Sequence, residues 1–435
     1  MKNAKKIAMI ISGLRYEGQT KTVQGVLSGA RSYGLEVYIF TCDNNWERIR
    51  DAKGVLPLFI PDDYDGIIFH GDTIEGEKLV DSLVEEIVGS GVPAVTLKDP
   101  HEGMTLMGMD NFKGIYEIVR HLTEVHGAKT INFIAGAPES VDAAERETAF
   151  RGAMEQFGLK VEEERIKTGY FSPQGGRDAF RSWYEMRDEL PLPDAIVSAS
   201  DWMAVGAIEE MKKYGIDIPT DIMITGYDDT LISKVTQPPL TTVLLPNYDI
   251  GRRSVELLYE LMTKGSISDN ERIGNHAIFR GSCGCQTDDD SCAARDEQLR
   301  KKYYYESLHR TDYLDVLKEV QRDFAGAKDW EVFYDMVAKA AGVFDAEAFF
   351  MCTTLPHQSR SMALADFLDN EENITYTDQV MVPVALIRGQ QKMFGSFRRE
   401  ELLSKEMKES IDGKYYVIMP LHYQHLKFGY CVVCD

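Results

Sequence analysis

Three polar residues whose side chains could bind a small ligand follow two stretches that are predicted to be buried strands. Ser200 and Asp201 come directly after the apolar run at 195–197, and Asp228 follows the run at 222–225. Apolar residues at helical spacing separate the two runs. Strands joined by such a helix run parallel, so these polar residues should collect at one sheet edge. Open α/β sheets bind ligands at that edge. Taken alone, each residue is equally common as a helix or turn cap.

The charge of the chain argues against nucleic acid as a direct partner. Its 435 residues include 48 Lys and Arg against 70 Asp and Glu, which gives a net charge of -22. Such a charge repels phosphate backbones, and no stretch rich in Lys or Arg offsets it locally. The apolar run near the N-terminus favours a first strand over a secretory signal, and no run is long enough to cross a bilayer. The sequence therefore predicts a cytoplasmic protein with no membrane partner.

The cysteines favour free thiols in a reducing compartment, because their number is odd and the chain is large. Three of them, at 283, 285 and 292, could indicate a metal site. However, no histidine or CxxC partner lies near them at zinc-like spacing, so the sequence predicts no metal and no cofactor. The seven are Cys42, Cys283, Cys285, Cys292, Cys352, Cys431 and Cys434.

The first part of the chain alternates between predicted strands and helices. The strand segments IAMIIS, LEVYIF, DGIIFHG and VPAVTL are separated by helical segments, and the alternation continues through TINFIAG. This pattern predicts α/β structure, with parallel sheets that carry helices on both faces. The length of the chain predicts two or three domains.

Several segments resemble the sensor half of the LacI/GalR family of sugar-responsive repressors. The matching segments are MGMDNFKGIYEIVRHLTEVHGAKTINFIAG, SASDWMAVGAIEEMKKYGIDIP, DIMITGYDDT and PPLTTV. The resemblance implies a two-lobed, periplasmic-binding-protein-like fold whose hinged lobes close on a ligand. It places the sensor domain at 1–282. One lobe is expected at 5–110 and 244–270, and the other at 111–243 and 274–282.

The resemblance also implies which residues of the second lobe bind the ligand. Arg146 occupies the place of an arginine that grips ligand hydroxyls in sugar-binding relatives, and a guanidinium suits paired hydroxyls or a carboxylate. Phe171 lies where the family has an aromatic residue that stacks on a sugar. Asp110 ends a strand that the family closes with Asp-Asn. Ser200 and Asp228 complete the predicted site. The alternatives are a solvated salt bridge for Arg146 and core packing for Phe171.

The candidates on the first lobe match the family less well. The loop LRYEGQT lacks the usual family sequence, although its Arg15, Tyr16 and Gln19 could line a cleft. Lys98 follows the fourth strand at another family contact position. Leu245 stands where many sugar-binding members have a glutamine. These departures leave the identity of the ligand open.

The C-terminal third departs from the repressors of the family. The polar stretch CGCQTDDDSC precedes a predicted long helix over 293–324, which could pair with a second copy or lie on its own domain. A helical segment and four strand-like segments follow. The ending PLHYQHLKFGYCVV is similar to the GAF-like segment of LacI-sensor proteins that carry a GGDEF cyclase. We therefore expect a linker and signalling helix at 283–324 and an α+β GAF/PAS-like sensory domain at 325–435.

The functional expectation is a sensor rather than an enzyme. No nucleophile signature, phosphate loop or HExxH pair occurs in the chain, so we predict no catalytic residues. A repressor of the family begins with a helix-turn-helix, whereas this chain enters a predicted strand almost at once, which predicts no DNA reading of its own.

The resemblance implies a homodimeric sensor of a small sugar-like molecule. It would relay ligand binding to an output domain absent from this chain, a GGDEF diguanylate cyclase. One alternative is a LacI-family transcriptional regulator whose DNA-binding domain is absent from this chain. Another is a solute-binding protein that serves a transporter.

Overall fold

The chain forms two compact units, each built from separate segments. The computed structural model describes residues 4–14, 16–42, 59–74, 76–265, 270–285, 330–342, 346–354, 378–423 and 426–434. Unit 1 contains Met1–Met107, Gly251–Asn270 and Ser307–Asp435, and unit 2 contains Gly108–Ile250 and Glu271–Glu306. Among the helices in these ranges, none has the length and apolar character needed to cross a membrane. The domain and lobe boundaries expected from the sequence stay a prediction.

The N-terminal part of unit 1 alternates strand and helix, as the sequence predicts. Its elements are β1 (Lys6–Ile11), α1 (Glu17–Tyr33), β2 (Glu36–Thr41), β3 (Gly66–Phe69), α2 (Glu77–Ser90), β4 (Ala94–Leu97) and β5 (Thr105–Asp110), the last of which ends in unit 2. The strands pair in the order β5-β4-β3-β1-β2, all in parallel. β3 and β4 are buried along their whole length because helices cover both faces of the sheet.

Unit 2 continues the alternation. Its elements are α3 (Asn111–Glu124), β6 (Ile131–Ala135), α4 (Val141–Gln156), β7 (Ile166–Thr168), α5 (Pro173–Glu185), β8 (Ala195–Ser198), α6 (Asp201–Lys213), β9 (Met223–Thr225), α7 (Leu231–Val235) and β10 (Thr242–Leu244). After these come α8 (Asn247–Lys264), most of which lies in unit 1, and β11 (Glu271–Gly274) and β12 (His276–Ile278) in unit 2.

A four-stranded parallel sheet forms the centre of unit 2. Its order is β7-β6-β8-β9, and β10 and β12 form a separate antiparallel pair. Phe133 on β6 stacks on Phe150 of α4, with ring centroids 4.6 Å apart. α4 begins at Ser140, whose Oγ accepts a hydrogen bond from the Ala143 amide, and Gly158 follows its end in the left-handed conformation. These packed helices fix the loops at the carboxyl ends of the strands.

The C-terminal segment adds strands to the sheet of unit 1. Its elements are α9 (Trp330–Ala341), β13 (Ala348–Thr353), β14 (Gln379–Ile387), β15 (Gln390–Gln391), β16 (Phe397–Arg398), α10 (Lys405–Glu409), β17 (Tyr415–Tyr423) and β18 (Leu426–Cys434). β17 pairs in parallel with β2, and the order continues β17-β18-β13-β14-β15 with antiparallel pairing. β16 pairs with the start of β14.

These strands confirm the strand-like segments of the C-terminal third, but the sequence analysis missed their attachment to β2. Tyr38 of β2 and Tyr416 of β17 lie in one apolar core, with ring centroids 4.8 Å apart. The assignment of this segment to the GAF/PAS class stays a prediction. The signalling helix expected over 293–324 lies outside the described residues.

Candidate functional site

The polar residues of unit 2 that the sequence singled out lie on the loops that follow its parallel strands. Ser200 comes two residues after β8, and Asp228 three residues after β9. Phe171 follows β7, and Arg146 lies on α4, which is entered from β6. Because parallel strands end at a common edge, these elements bring several of the side chains together, as expected.

Arg146 is the centre of this group. Its side chain is 4% exposed, and three of its nitrogens donate to protein oxygens. Nη1 donates to the Ala199 carbonyl at 2.7 Å, Nε to Asn111 Oδ1 at 3.3 Å and Nη2 to Asp142 Oδ2 at 3.3 Å. The guanidinium carbon lies 3.9 Å from the centre of the Tyr227 ring. The solvated surface salt bridge that stood as the alternative is therefore wrong for this arginine.

Tyr227 fixes the face of the guanidinium. It is fully buried, and its hydroxyl donates to Asn111 Oδ1 at 2.9 Å. Asn275 Nδ2 donates to the same hydroxyl at 2.5 Å, and Asn275 Oδ1 accepts from the Gly114 amide at 2.8 Å. The ring is thus held by bonds to α3 and to the residue between β11 and β12. A buried network of this kind fixes the position of Arg146.

Asp228 lies beside Arg146 without a direct hydrogen bond to it. The distance from Arg146 Nη1 to Asp228 Oδ1 is 3.6 Å, which is longer than a hydrogen bond but within ion-pair range. The backbone of Asp228 has a positive φ of 113° and its amide donates to the Val243 carbonyl. A non-glycine residue rarely adopts this conformation, and such residues are frequent at ligand-binding sites.

The side chains around Arg146 keep its guanidinium charged, and the group as a whole carries a net negative charge. Burial of Arg146 lowers the pKa of its guanidinium, but Asp142, Tyr227 and Asp228 outweigh that effect, so its pKa is raised. Burial also raises the pKa of the Tyr227 hydroxyl, which therefore stays neutral. One guanidinium beside the carboxylates of Asp142 and Asp228 leaves a net negative charge.

Phe171 places an aromatic ring next to the same arginine. Its ring centre lies 5.9 Å from the Arg146 guanidinium carbon. The ring packs over Gly136, where an added Cβ would lie 2.2 Å from Phe171 Cζ. Phe171 is partly exposed and has a positive φ of 54°, and its exposed neighbour Tyr170 has a φ of 51°. The ring is therefore not a core residue, and a ligand could stack on its open part.

Three other acidic or hydroxyl side chains that the sequence analysis named have structural partners. Ser200 Oγ accepts from the Met203 amide, and Asp110 accepts from the amides of Phe112 and Lys113, so both cap helices. Asp201 is fully buried and accepts from Thr242 Oγ1 and from the amide and hydroxyl of Thr230. The ligand contacts expected for Ser200 and Asp110 stay predictions.

The candidates on unit 1 lie at the carboxyl ends of its own strands, and Arg15 is outside the described residues. Gln19 is buried and its Nε2 donates to Ser12 Oγ at 2.9 Å, whereas Tyr16 is 67% exposed. Lys98 has a positive φ of 64°, and its Nζ lies 3.8 Å from Asp72 Oδ2. A ligand-binding role for these residues stays a prediction.

The sequence analysis missed the residues that hold Arg146. Asn111, Asp142, Tyr227 and Asn275 were not among its candidate site residues. Asn111 had a detectable signal, because it is the second residue of the Asp-Asn pair in the family pattern. Asn275 had no such signal, because it lies 48 residues after Tyr227 in the sequence and only the fold brings the two together.

Four side chains with metal-ligating atoms converge elsewhere in unit 2. The ligand atoms of His121, His126, Cys283 and Cys285 all lie within 4.8 Å of one another. The sequence analysis predicted no metal because it found no histidine near the cysteines. That argument was wrong, because the fold brings in two histidines from about 160 residues away in the chain.

Each of the two units contains a sheet of parallel strands with helices between them, and the candidate residues of unit 2 follow the strands of its sheet. These features define a periplasmic-binding-protein-like fold. Residues 119–283 match the family described as "Periplasmic binding protein-like domain". The solved structure of the transcriptional regulator CelR in complex with cellobiose has the same fold, with a TM-score of 0.54 and 24% identity. That match covers 65% of this chain and 86% of the CelR chain.

Two curated relatives show the family to which this chain belongs. The HTH-type transcriptional repressor PurR of Pasteurella multocida is 30% identical over 264 residues, which cover 60% of this chain and 76% of that repressor. The HTH-type transcriptional repressor CytR of Escherichia coli is 27% identical over 267 residues, covering 60% and 74% of the two chains. The chain belongs to the LacI family. The relatives compared are transcriptional regulators and not enzymes.

Proposed function

We propose that this chain is a sensor of a small, neutral, hydroxyl-rich molecule, which unit 2 binds through Arg146 and Asp228. The observation that carries the proposal is a buried guanidinium that is held by Tyr227, Asn111 and Asp142 and forms an ion pair with Asp228. Such preorganisation costs stability unless a ligand uses it, because buried charges are expensive to hold.

The donors and acceptors of the pair suit a hydroxyl group. A guanidinium has five N–H groups, and bonds within the described part of the chain use one each on Nε, Nη1 and Nη2. Nη1 also lies within ion-pair range of Asp228, so a ligand hydroxyl would share this end of the guanidinium with the aspartate. A hydroxyl next to the pair could accept from Arg146 Nη1 and donate to Asp228 Oδ1, which lie 3.6 Å apart.

The charge of the group favours a neutral ligand over an anionic one. Arg146 lies beside two carboxylates, those of Asp142 and Asp228. A ligand carboxylate or phosphate would add a further negative charge in a partly buried place, where repulsion is weakly screened. Phe171 supplies a face for the apolar side of a sugar ring. Neutral sugars and nucleosides meet both conditions, and cellobiose is bound by the related CelR.

We propose control of transcription as the use of the ligand signal. PurR and CytR, to which 60% of this chain is similar, are both transcriptional repressors. The cyclase output expected from the resemblance of the C-terminal segment has no counterpart among these relatives. A homodimeric assembly, a cytoplasmic location and the lack of direct DNA contacts by this chain stay predictions.

A thermal-shift screen tests ligand binding by the full chain. The panel contains neutral sugars including cellobiose, their acidic derivatives, nucleosides and amino acids. A neutral polyhydroxylated compound at about a hundred times its Kd should stabilise the protein by about 2.7 kcal/mol. The acidic derivative of the same compound should bind more weakly. Stabilisation by anionic compounds alone would contradict the charge argument.

Two variants separate the site from general stability. Arg146→Lys keeps the charge but loses the planar fork, so it should abolish the shift. Arg165→Lys is the matched control, because Arg165 is also buried in unit 2 but bonds to Glu162, Asn132 and Pro191. If Arg146→Lys binds the ligand as tightly as the parent protein, the site assignment is wrong.

The regulatory output is tested in cells of the source organism. Addition of the ligand should change the transcript levels of a small set of genes, and deletion of the gene for this protein should remove the response. Cyclic diguanylate is measured in the same cultures. A change in cyclic diguanylate with constant transcripts would favour the cyclase output instead.

A further inference from the structure

We infer that His121, His126, Cys283 and Cys285 form a tetrahedral binding site for a zinc ion in unit 2. The four residues come from two parts of the chain that are far apart in sequence. Their ligand atoms all lie within 4.8 Å of one another, and this site is separate from the Arg146 group.

Four of the six distances between these atoms lie within about 0.5 Å of the edges of a zinc tetrahedron. Ordinary Zn–N and Zn–S bond lengths place two nitrogens about 3.3 Å apart, a nitrogen and a sulfur about 3.6 Å apart and two sulfurs about 3.8 Å apart. Here His121 Nε2 lies 3.0 Å from His126 Nε2 and 3.1 Å from Cys285 Sγ. It lies 3.7 Å from Cys283 Sγ, and Cys285 Sγ lies 3.5 Å from His126 Nε2. One ion at the centre would satisfy all four.

The histidine pair is built by the end of α3. His121 lies in the last turn of the helix, and the His126 amide donates back to the His121 carbonyl just beyond it. The pair has the spacing H-x4-H, which is within the range used by zinc sites. The His121 ring stacks on Phe279, with ring centroids 3.7 Å apart. This packing sets the direction of Nε2.

The cysteine pair is built by a tight turn. Gly281–Cys283 is a short 3-10 helix, and Gly284 follows with a φ of 94°, a conformation that residues with a Cβ rarely adopt. That turn brings Cys285 back beside Cys283, so that both sulfurs approach His121 Nε2. The Thr241 hydroxyl lies 3.1 Å from Cys283 Sγ and can donate to it. Such outer hydrogen bonds are typical of metal-bound sulfur.

The ligand set selects the metal and its role. Two thiolates and two imidazoles favour zinc over the hard cations magnesium and calcium. Two thiolates also neutralise the charge of a divalent ion, which lowers the energetic cost of burying the metal centre. With four protein ligands no position is left for water or substrate, so the ion is structural. It would join the end of α3 to residues 283–285, the last ones described before the gap at 286.

The zinc site and the ligand site lie at opposite ends of one helix. Asn111, at the start of α3, contacts Arg146, whereas His121 is ten residues further on, about 15 Å along the helix axis. The two sites share no side chain. Loss of zinc and loss of the ligand response can therefore be measured separately.

The test measures metal in the full chain purified under reducing conditions. Elemental analysis by mass spectrometry should find about one zinc per chain. After removal of zinc with a chelator, cobalt(II) should restore one equivalent and give strong visible bands of tetrahedral geometry together with a thiolate charge-transfer band. Removal of zinc should also lower the Tm, and added zinc should restore it.

Variants assign the ligands. Cys285→Ser and His121→Asn should each lower the zinc content at least tenfold and remove the thiolate band or change the cobalt spectrum. Cys42→Ser, in unit 1, and His276→Asn, on the exposed face of β12, are the matched controls and should keep one equivalent. Circular dichroism checks that each variant is folded. If a variant is unfolded, the cobalt spectrum of the parent protein still decides.

Three outcomes would overturn the proposal. One is a reduced full chain that holds little zinc and gives no charge-transfer band with cobalt(II). Another is a Cys283–Cys285 disulfide in protein that was kept reduced, seen as a mass loss of two hydrogens. The third is an unchanged zinc content in both Cys285→Ser and His121→Asn.

Discussion

Arg146 shows how a single side chain obtains its function from its neighbours. In the sequence it is one arginine on a predicted helix, with a solvated salt bridge as the alternative. In the structure it is buried against Tyr227, and its donors are divided between α3, α4 and the loop after β8. The positions of these partners fix the guanidinium beside Asp228, and this arrangement is the basis of the proposed specificity.

Tyr227→Phe tests the support of Arg146. The change removes a hydroxyl that bonds to both Asn111 and Asn275, and it leaves the buried Asn275 amide without its acceptor. We expect a loss of about 1–3 kcal/mol in the free energy of unfolding and weaker ligand binding, measured by urea unfolding and calorimetry. Tyr184→Phe, a half-buried stacked tyrosine on α5, is the control and should change neither. Equal results for the two variants would contradict the supporting role.

Asp201 should make the stability of unit 2 depend on pH. Burial raises its pKa to about 6, against the opposing effect of its bonds from Thr242 and Thr230, whereas an unfolded aspartate has a pKa of about 3.9. The folded protein therefore binds the proton more tightly. The contribution of Asp201 to the free energy of unfolding should fall as the pH rises from about 4 to about 6.

Asp201→Asn should remove this fall. As the pH rises across that range, the free energy of unfolding of the parent protein should fall by about 1–3 kcal/mol relative to that of the variant. Urea unfolding at several pH values measures this difference. Asp194→Asn is the control, because bonds from the amides of Lys129 and Thr130 outweigh burial and lower the pKa of Asp194. Because the pKa of Asp194 is lowered rather than raised, its variant should keep the pH dependence of the parent.

At the scale of elements, glycines decide how closely two helices of unit 2 pack. An added Cβ at Gly176 on α5 would lie 2.0 Å from the Met203 carbonyl oxygen, and one at Gly206 on α6 would lie 1.9 Å from the Pro173 carbonyl oxygen. Because backbone atoms cannot move aside as a side chain can, these contacts require glycine. α5 and α6 in turn precede and follow β8, whose end carries Ala199 and Ser200.

Gly176→Ala should destabilise the protein by about 1–3 kcal/mol or more, because the helices must separate. Gly152→Ala on α4 is the matched control: the nearest atom, Phe112 Cε2, would be 3.6 Å from the new Cβ. In that open helical position alanine should stabilise by about 0.5–1 kcal/mol. Thermal unfolding of both variants measures the difference, and the same sign for both would show that the close approach does not matter.

At the scale of the whole molecule, the C-terminal segment is continuous with the sheet of unit 1. Tyr415–Ile418 of β17 pair with Val37–Phe40 of β2, and Thr41 Oγ1 donates to the Ile418 carbonyl. β2 would otherwise present an unpaired edge, which proteins commonly cover. The C-terminal segment of unit 1 is therefore bonded to the N-terminal sheet, so a change in one can alter the stability of the other.

Ile418→Ala tests this continuity. The side chain is 1% exposed, and its truncation should cost about 2–5 kcal/mol. Hydrogen exchange should show faster exchange at the amides of β2 as well as β17. Val384→Ala on β14 is the control, because Val384 packs in a different apolar cluster. In this variant the β2 amides should exchange more slowly than in Ile418→Ala. Unchanged exchange in β2 after Ile418→Ala would mean that the two parts of the sheet are not coupled.

The sequence by itself determined the strands and helices of the α/β part and the loops that carry the candidate residues. The strands of both parallel sheets and the polar residues after β8 and β9 were predicted, because hydrophobic period is a local property. The family resemblance added Arg146 and Phe171, which the structure brings together with Asp228. Whether these three bind the ligand stays a prediction for the screen to decide.

The tertiary structure alone decided which distant residues meet. The bond of Asn275 to Tyr227, the approach of Cys283 and Cys285 to the two histidines, and the pairing of β17 with β2 all join segments that are separated by about fifty to almost four hundred residues. No spacing rule links such segments, because their proximity depends on how whole sheets and helices pack. Hydrophobic periodicity shows that a side chain faces the core, but packing selects the neighbour that it contacts there.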